Sequence, residues 1–221
     1  MPADVAVACT CGLVTGVVRG VSAANSRRLA CMCDDCQVYA HYLGRADEIL
    51  DPHGGTDLSY ATQNRVSIST GRDRLRAVRL YETGVLRVYA GCCRTPVAHL
   101  PSPKIAFVGI PHLFLRCGAG GQSRDAILGP LVHRLQGRYC RGELPKGAHS
   151  GTPLGLWTRA MVRVAWDTAC NRQQPSPFHE AGSYSPVVVP ELLSSGELEG
   201  LRAHLERRNS RASPGVPLGC A

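Results

Sequence analysis

Lysine is nearly missing from this chain: only Lys104 and Lys146 stand among its 25 basic residues. The formal charge of +8 is therefore an arginine charge, and it is spread as +4 over residues 1–120 and +4 over residues 121–221. No basic face or tail stands out for nucleic acid. Aromatic residues make up only 5%, too few for the stacking platforms of single-strand binders. No run approaches the ~20 apolar residues of a membrane span, so no membrane partner is expected. Met1-Pro2-Ala3-Asp4 carries no basic residue and no secretory signal is read there, so a cytoplasmic location is expected. No internal repeat is apparent. Apolar residues at 44% and charged residues at 19% are an ordinary globular balance, and 221 residues can bury a real core.

Cysteine is what the chain has in excess. Eleven are present, and seven fall in clusters within the first 93 residues. In an expected cytosolic setting, clustered thiols point to metal ligands or redox thiols rather than disulfides. Cys9-Thr10-Cys11 is an i,i+2 pair, whose side chains share one face of an extended chain. Cys31-Met32-Cys33-Asp34-Asp35-Cys36 joins such a pair to a C-x-x-C turn, and its three sulfurs can converge. Cys92-Cys93 follows a strand-like run and precedes Arg94-Thr95-Pro96. Seven thiols divide as four plus three. Structural zinc takes four protein ligands, while catalytic zinc keeps one position open. Two zinc ions are expected on that division, and they would lower the net charge to about +5 because bound thiols are deprotonated. Cys117, Cys140, Cys170 and Cys220 are isolated and read as ordinary thiols.

Val5–Cys9 and Leu13–Arg19 read as a hairpin with the first cysteine pair near its turn, and Arg27–Met32 as a third strand. Asp34–Leu43 reads as a helix capped by Asp34 or Asp35 and ended by Gly44. Asp51–Thr56, with Gly54-Gly55, reads as a loop. Arg65–Ser69, Arg74–Tyr81 and Val85–Ala90 read as strands of an antiparallel β domain, with a phase slip at Ala77-Val78 that suggests a bulge. Beyond a glycine-rich linker at Cys117–Gly121, helical spacing is read over Ser123–Tyr139. Trp157–Cys170 reads as a helix with Trp157, Met161, Val164 and Ala165 on one face, and Glu191–Arg207 as a last helix. The expected layout is a zinc-binding β domain over 1–115, a helical extension over 116–208 and a disordered tail over 209–221. The apolar helix faces should roof the site or form a homodimer surface.

The cysteine segments, with Cys9-Thr10-Cys11-Gly12 first and Tyr89-Ala90-Gly91-Cys92-Cys93-Arg94-Thr95-Pro96 last, resemble the glutathione-dependent formaldehyde-activating enzyme family, which includes centromere protein V. The resemblance covers about residues 5–110. That family shows C-x-C-G, then C-H-C-x-x-C, then an aromatic residue with C-x-x-C-G-[ST]-P. It implies a mainly β fold, a zinc-binding β-tent of antiparallel sheets, here with an α-helical C-terminal extension. It also implies a structural zinc on Cys9, Cys11 and Cys93, and an open, catalytic zinc on Cys31, Cys33 and Cys36. The implied activity is that of a carbon–sulfur lyase acting on a small thiol–aldehyde adduct such as S-hydroxymethylglutathione. Met32, Ala90 and Arg94 depart from the family pattern. Ala90 stands where the last cysteine pair should begin. Neighbours on an extended strand face opposite ways, so either a sharp turn brings Cys92 to the ion beside Cys93 or Cys92 serves elsewhere. His41, on the helix after Cys36, is the candidate acid–base group; it and Cys92 are also candidates for closing the open site. Arg27, Arg28, Arg45, Arg65 and Arg94 could meet an anionic thiol but read as solvated charges. The contrasting expectation is a non-enzymatic zinc-fold module that binds protein or nucleic acid.

Overall fold

The computed structural model describes residues 2–116 and 123–212. β1 (Ala3–Ala8) and β2 (Thr15–Val21) form the expected hairpin. After a one-turn α1 (Ala23–Ser26), β3 (Leu29–Cys31) leads into α2 (Asp34–Tyr42) and the short α3 (Ala46–Ile49). Six strands follow: β4 (Thr56–Thr62), β5 (Val66–Thr70), β6 (Leu75–Arg79), β7 (Leu86–Ala90), β8 (Thr95–Leu100) and β9 (Phe107–Pro111). The C-terminal part holds α4 (Arg124–Leu128), β10 (His133–Leu135), α5 (Leu154–Ala169), β11 (Glu191–Leu192) and α6 (Ser195–Ala212). The fold is mainly β with C-terminal helices, as expected. One sheet runs β1-β2-β5, and the other runs β10-β3-β4-β9-β8-β7-β6-β11. Pairing is antiparallel except at the two edges, where β10 and β11 add in parallel. The C-terminal part thus extends the large sheet at both ends.

Two apolar layers hold this together. Val5, Val7 and Val18 of the small sheet meet Leu75, Ala77, Leu86, Val88 and Ile110 of the large one. On the outer face of the large sheet, Val78, Leu80 and Tyr89 meet Val38, Tyr39 and Leu43 on and just after α2, with Leu198 and Leu205 of α6. This explains the phase slip at Ala77-Val78. β6 pairs with β7 in unbroken register, and Ala77 and Val78 simply enter opposite layers. The bulge lies instead in β8, where Val97 is the extra residue between the Val88–Ala98 and Tyr89–Pro96 pairs. β4, β8 and β9 go beyond the strands expected from the sequence, and Pro96 and Gly109 are poor strand residues. They are central here because both faces of the sheet are covered.

The helix read over Ser123–Tyr139 is corrected. α4 stops after Leu128 because Gly129 takes φ +80° and Pro130 follows, and residues 133–135 pair with β3. α5 forms as read but is rotated from expectation. Val164 is buried, while Trp157, Met161 and Trp166 face outward, with Trp166 63% exposed. The expected tail begins inside α6, and residues 213–221, the linker and both Cys117 and Cys220 lie outside the described residues. No helix among the described residues is long and apolar enough to cross a membrane.

Candidate metal centres

The first group forms where two distant turns meet. The β1–β2 connection carries Cys9 and Cys11. The β7–β8 connection carries Cys92 and Cys93, and its chain reverses because Arg94 adopts φ +55° and its N–H reaches the Ala90 carbonyl at 2.8 Å. This sharp turn is what lets adjacent cysteines point to one place. The four Sγ atoms all lie within 4.8 Å of one another. Cys9–Cys11 is 3.5 Å, Cys11–Cys92 3.3 Å, and Cys9–Cys92 and Cys92–Cys93 are each 3.9 Å. A disulfide would need ~2.0 Å. A tetrahedral zinc with ~2.3 Å bonds needs sulfurs about 3.8 Å apart, so the spacing fits an ion.

Around this group backbone and side chains both supply donors. The Val14 N–H meets Cys9 Sγ at 3.2 Å, and Arg116 Nη2 holds the Cys9 carbonyl at 2.5 Å. Thr95 Oγ1 lies 3.1 Å from Cys93 Sγ and accepts the Thr10 N–H at 3.0 Å. Burial pushes the Cys93 thiol up, but hydrogen bonds from Thr10 and Thr95 outweigh it and bring it down to about 5. Burial and the neighbouring sulfurs push Cys92 up to about 12. One thiolate is thus easily held and further ones are resisted, a conflict that a divalent cation removes.

The second group is local. Cys31 ends β3, Cys33 occupies the N-cap position of α2, and Cys36 lies buried in its first turn. Asp34 and Asp35 are therefore first-turn residues rather than caps. Their carboxylates pair with Arg202, and Asp35 lies 3.8 Å from Arg87. The three Sγ atoms lie within 4.8 Å of one another, and no fourth His, Cys or carboxylate joins them among the described residues. Hydrogen bonds from Cys33 and Cys36, helped by Arg87, hold the Cys31 thiol well below its ordinary range, and Cys33 is pushed up to about 11 chiefly by its bond to Cys31. Beside α2, Asp34, Gln37, Arg138, Tyr139, Cys140, Arg202, Leu205 and Glu206 line a cleft of about 360 Å³ that none of the three cysteines enters. A larger cleft of about 1050 Å³ runs along α5, and none of the seven clustered cysteines lines it either.

A family described as of unknown function, DUF6151, matches residues 1–189. The chain belongs to the DUF6151 family. No curated protein matches it. The match takes in both cysteine groups and α5 and ends before β11 and α6.

In this DUF6151 chain, His41 lies five residues beyond Cys36 and does not join the three sulfurs. Its Nε2 is 3.0 Å from Arg141 Nη2, and its ring is 5.1 Å from His204. Burial and the Arg141 charge bring it down to about 4, so it is neutral at pH 7. Cys92 sits in the first group and is not available to the second. Arg28 and Arg45 are not solvated charges. Arg28 is buried and grips Asp57 with Nε and Nη2, at 3.0 and 2.8 Å. Arg45 ties α3 to the first group, meeting Thr10 Oγ1 and the Cys93 carbonyl, each at 2.7 Å. Arg94 donates to the Tyr42 carbonyl at 3.0 Å, and Arg65 to the Arg19 carbonyl at 2.6 Å. Gln37 and Thr95 stand in segments that the sequence already marks, without a role, and Arg87 is not read as a site residue at all. Arg87 left one signal, a charge inside the apolar run Leu86-Arg87-Val88-Tyr89.

Proposed function

We propose that this protein is a cytoplasmic, two-zinc enzyme of the carbon–sulfur lyase type, acting on a small thiol–aldehyde adduct such as S-hydroxymethylglutathione. Cys9, Cys11, Cys92 and Cys93 are then the closed structural site, and Cys31, Cys33 and Cys36 the open one. The observation that carries this reading is the unequal donor count, four sulfurs in one group and three in the other. Zinc in the three-sulfur group would favour the thiolate form of a thiol bound there. Cleavage of the adduct's carbon–sulfur bond would return the thiol and formaldehyde. Arg138, at the cleft beside α2, suits a carboxylate of an anionic thiol such as glutathione. His41, held by Arg141 and set apart from the sulfurs, suits orientation of that arginine better than proton transfer.

The test is zinc per chain in protein purified without added metal, followed by formaldehyde release from S-hydroxymethylglutathione. Two zincs are expected, falling to one in Cys33→Ser with the fold kept and turnover down at least ~100-fold, since removal of bound-metal chemistry costs several kcal/mol. One zinc that Cys33→Ser leaves in place would end this reading. Two zincs without turnover would favour the non-enzymatic binding module.

A further inference from the structure

A poorly paired cation is buried against the three-cysteine group. Arg87 sits in β7, where every residue is buried, and its own side chain is 3% exposed. A guanidinium offers five N–H donors. Here Nη1 reaches the Val85 carbonyl at 3.4 Å, Nη2 lies 3.8 Å from Asp35, and Nε has no partner. The groups facing it come from two elements. Asp35 and Tyr39, whose ring lies 5.6 Å from Cζ, belong to α2 and flank Cys36. His99 pairs with Arg87 across β7 and β8, is buried, and has no partner for Nε2. Asp35 is shared with Arg202 and Tyr81 and is 34% exposed, so it offsets the arginine only weakly.

Burying a charge without a good partner costs several kcal/mol. Three thiolates around a divalent ion carry a net −1.

We infer that Arg87 is a positioning residue, the buried counter-charge that offsets the net negative charge of a divalent ion held by Cys31, Cys33 and Cys36. This rests on the reading that the three-sulfur group holds an ion, though not on its activity. The first group serves as an internal control. Cys92 lies five residues further along, beyond the end of β7 at Ala90, and none of the Arg87 contacts described above is to a residue of that group.

The experiment is zinc competition with a chromophoric chelator on the full chain, comparing wild type with Arg87→Met, Arg87→Gln and Arg87→Lys. In the Met and Gln variants one of the two ions should bind about 10–100-fold more weakly, the usual effect of losing a partner outside the ligand shell. The other ion should be unchanged, and Arg87→Lys, which keeps the charge, should stay close to wild type. Should Arg87→Met fail to fold, Arg87→Gln decides, since it keeps a polar head in the pocket. Unchanged affinities in Met and Gln, or a Lys variant as weak as Met, would overturn the counter-charge while leaving the lyase reading standing. A wild-type chain holding one ion on the first group would overturn both.

Discussion

His179 fixes part of how this protein answers acid. It is buried, with Nδ1 3.1 Å from Gln63 Oε1 and no partner for Nε2. Burial, then the Arg79 charge, brings it from 6.5 down to about 4. A base whose folded pKa lies below its unfolded value takes up protons preferentially when unfolded. Its contribution is intact above pH 6.5, and stability falls as pH drops from there toward 4, by an amount on the order of 1 kcal/mol per pH unit. His99, brought down to about 3 by burial and then Arg87, acts in the same direction. Urea unfolding of zinc-loaded protein at pH 7, 6 and 5 should show a shallower decline for His179→Gln than for wild type. Parallel declines would show that His179 is free to protonate in the folded state. The metal sites contribute equally to both proteins, so the difference isolates the histidine.

Element by element, α5 and α6 are held in different ways. Leu198 and Leu205 of α6 are buried on the outer face of the large sheet. At about 1.5–3 kcal/mol each, they outweigh the half-exposed Arg202 and Arg208 ion pairs, worth at most ~1 kcal/mol each. α5 hangs on a polar joint instead. The fully buried Asp167 carboxylate accepts from Tyr60 Oη and Arg172 Nη1, both at 2.5 Å, and from Arg163 Nε at 2.9 Å. Thr168 Oγ1 accepts the Ala106 N–H at 3.0 Å. Asp167→Asn is therefore expected to cost about 3 kcal/mol, against less than ~1 kcal/mol for Val162→Ala on the outward face. Thermal or urea unfolding of the two variants checks the ranking, and a costlier Val162→Ala would mean that the outward face is packed. The existence of α2 and α5 was legible because their signals are local, an aspartate start and a Gly44 stop for α2 and apolar spacing for α5. The inward face of α5 was not, because its anchor is one aspartate whose partners, Tyr60 and Arg172, are supplied by other segments. The misreading over Ser123–Tyr139 has a local root instead. Ile127, Leu128, Leu131, Val132 and Leu135 stand at helical spacing, but Gly129-Pro130 lies among them, and such a step breaks or kinks a helix.

At the scale of the whole molecule, residues beyond Leu115 complete the large sheet. β10 covers the β3 edge, β11 covers β6, and Leu193, Leu198 and Leu205 close the layer over Val78, Leu80 and α2. Three buried leucines account for roughly 5–9 kcal/mol, comparable to the entire stability of an ordinary domain. A chain ending at Leu115 is expected to be insoluble or unfolded even with zinc supplied. Its soluble yield and zinc content are the measurement, and a soluble fragment holding two zincs would show that the β part is self-sufficient.

By itself the sequence determined the local matters: the i,i+2 cysteine pairs, the C-x-x-C turn into α2, the strands around them and a mainly β chain. These follow from neighbours along the chain, through strand alternation and helix capping. Tertiary structure decided that Cys92 joins Cys9, Cys11 and Cys93, that His41 stays apart from the three remaining sulfurs, and that Arg87 lies buried beside α2. Each of these depends on which turns and strands the packing of two sheets brings together, across as many as 83 positions between Cys9 and Cys92. No period in the sequence encodes a distance of that kind.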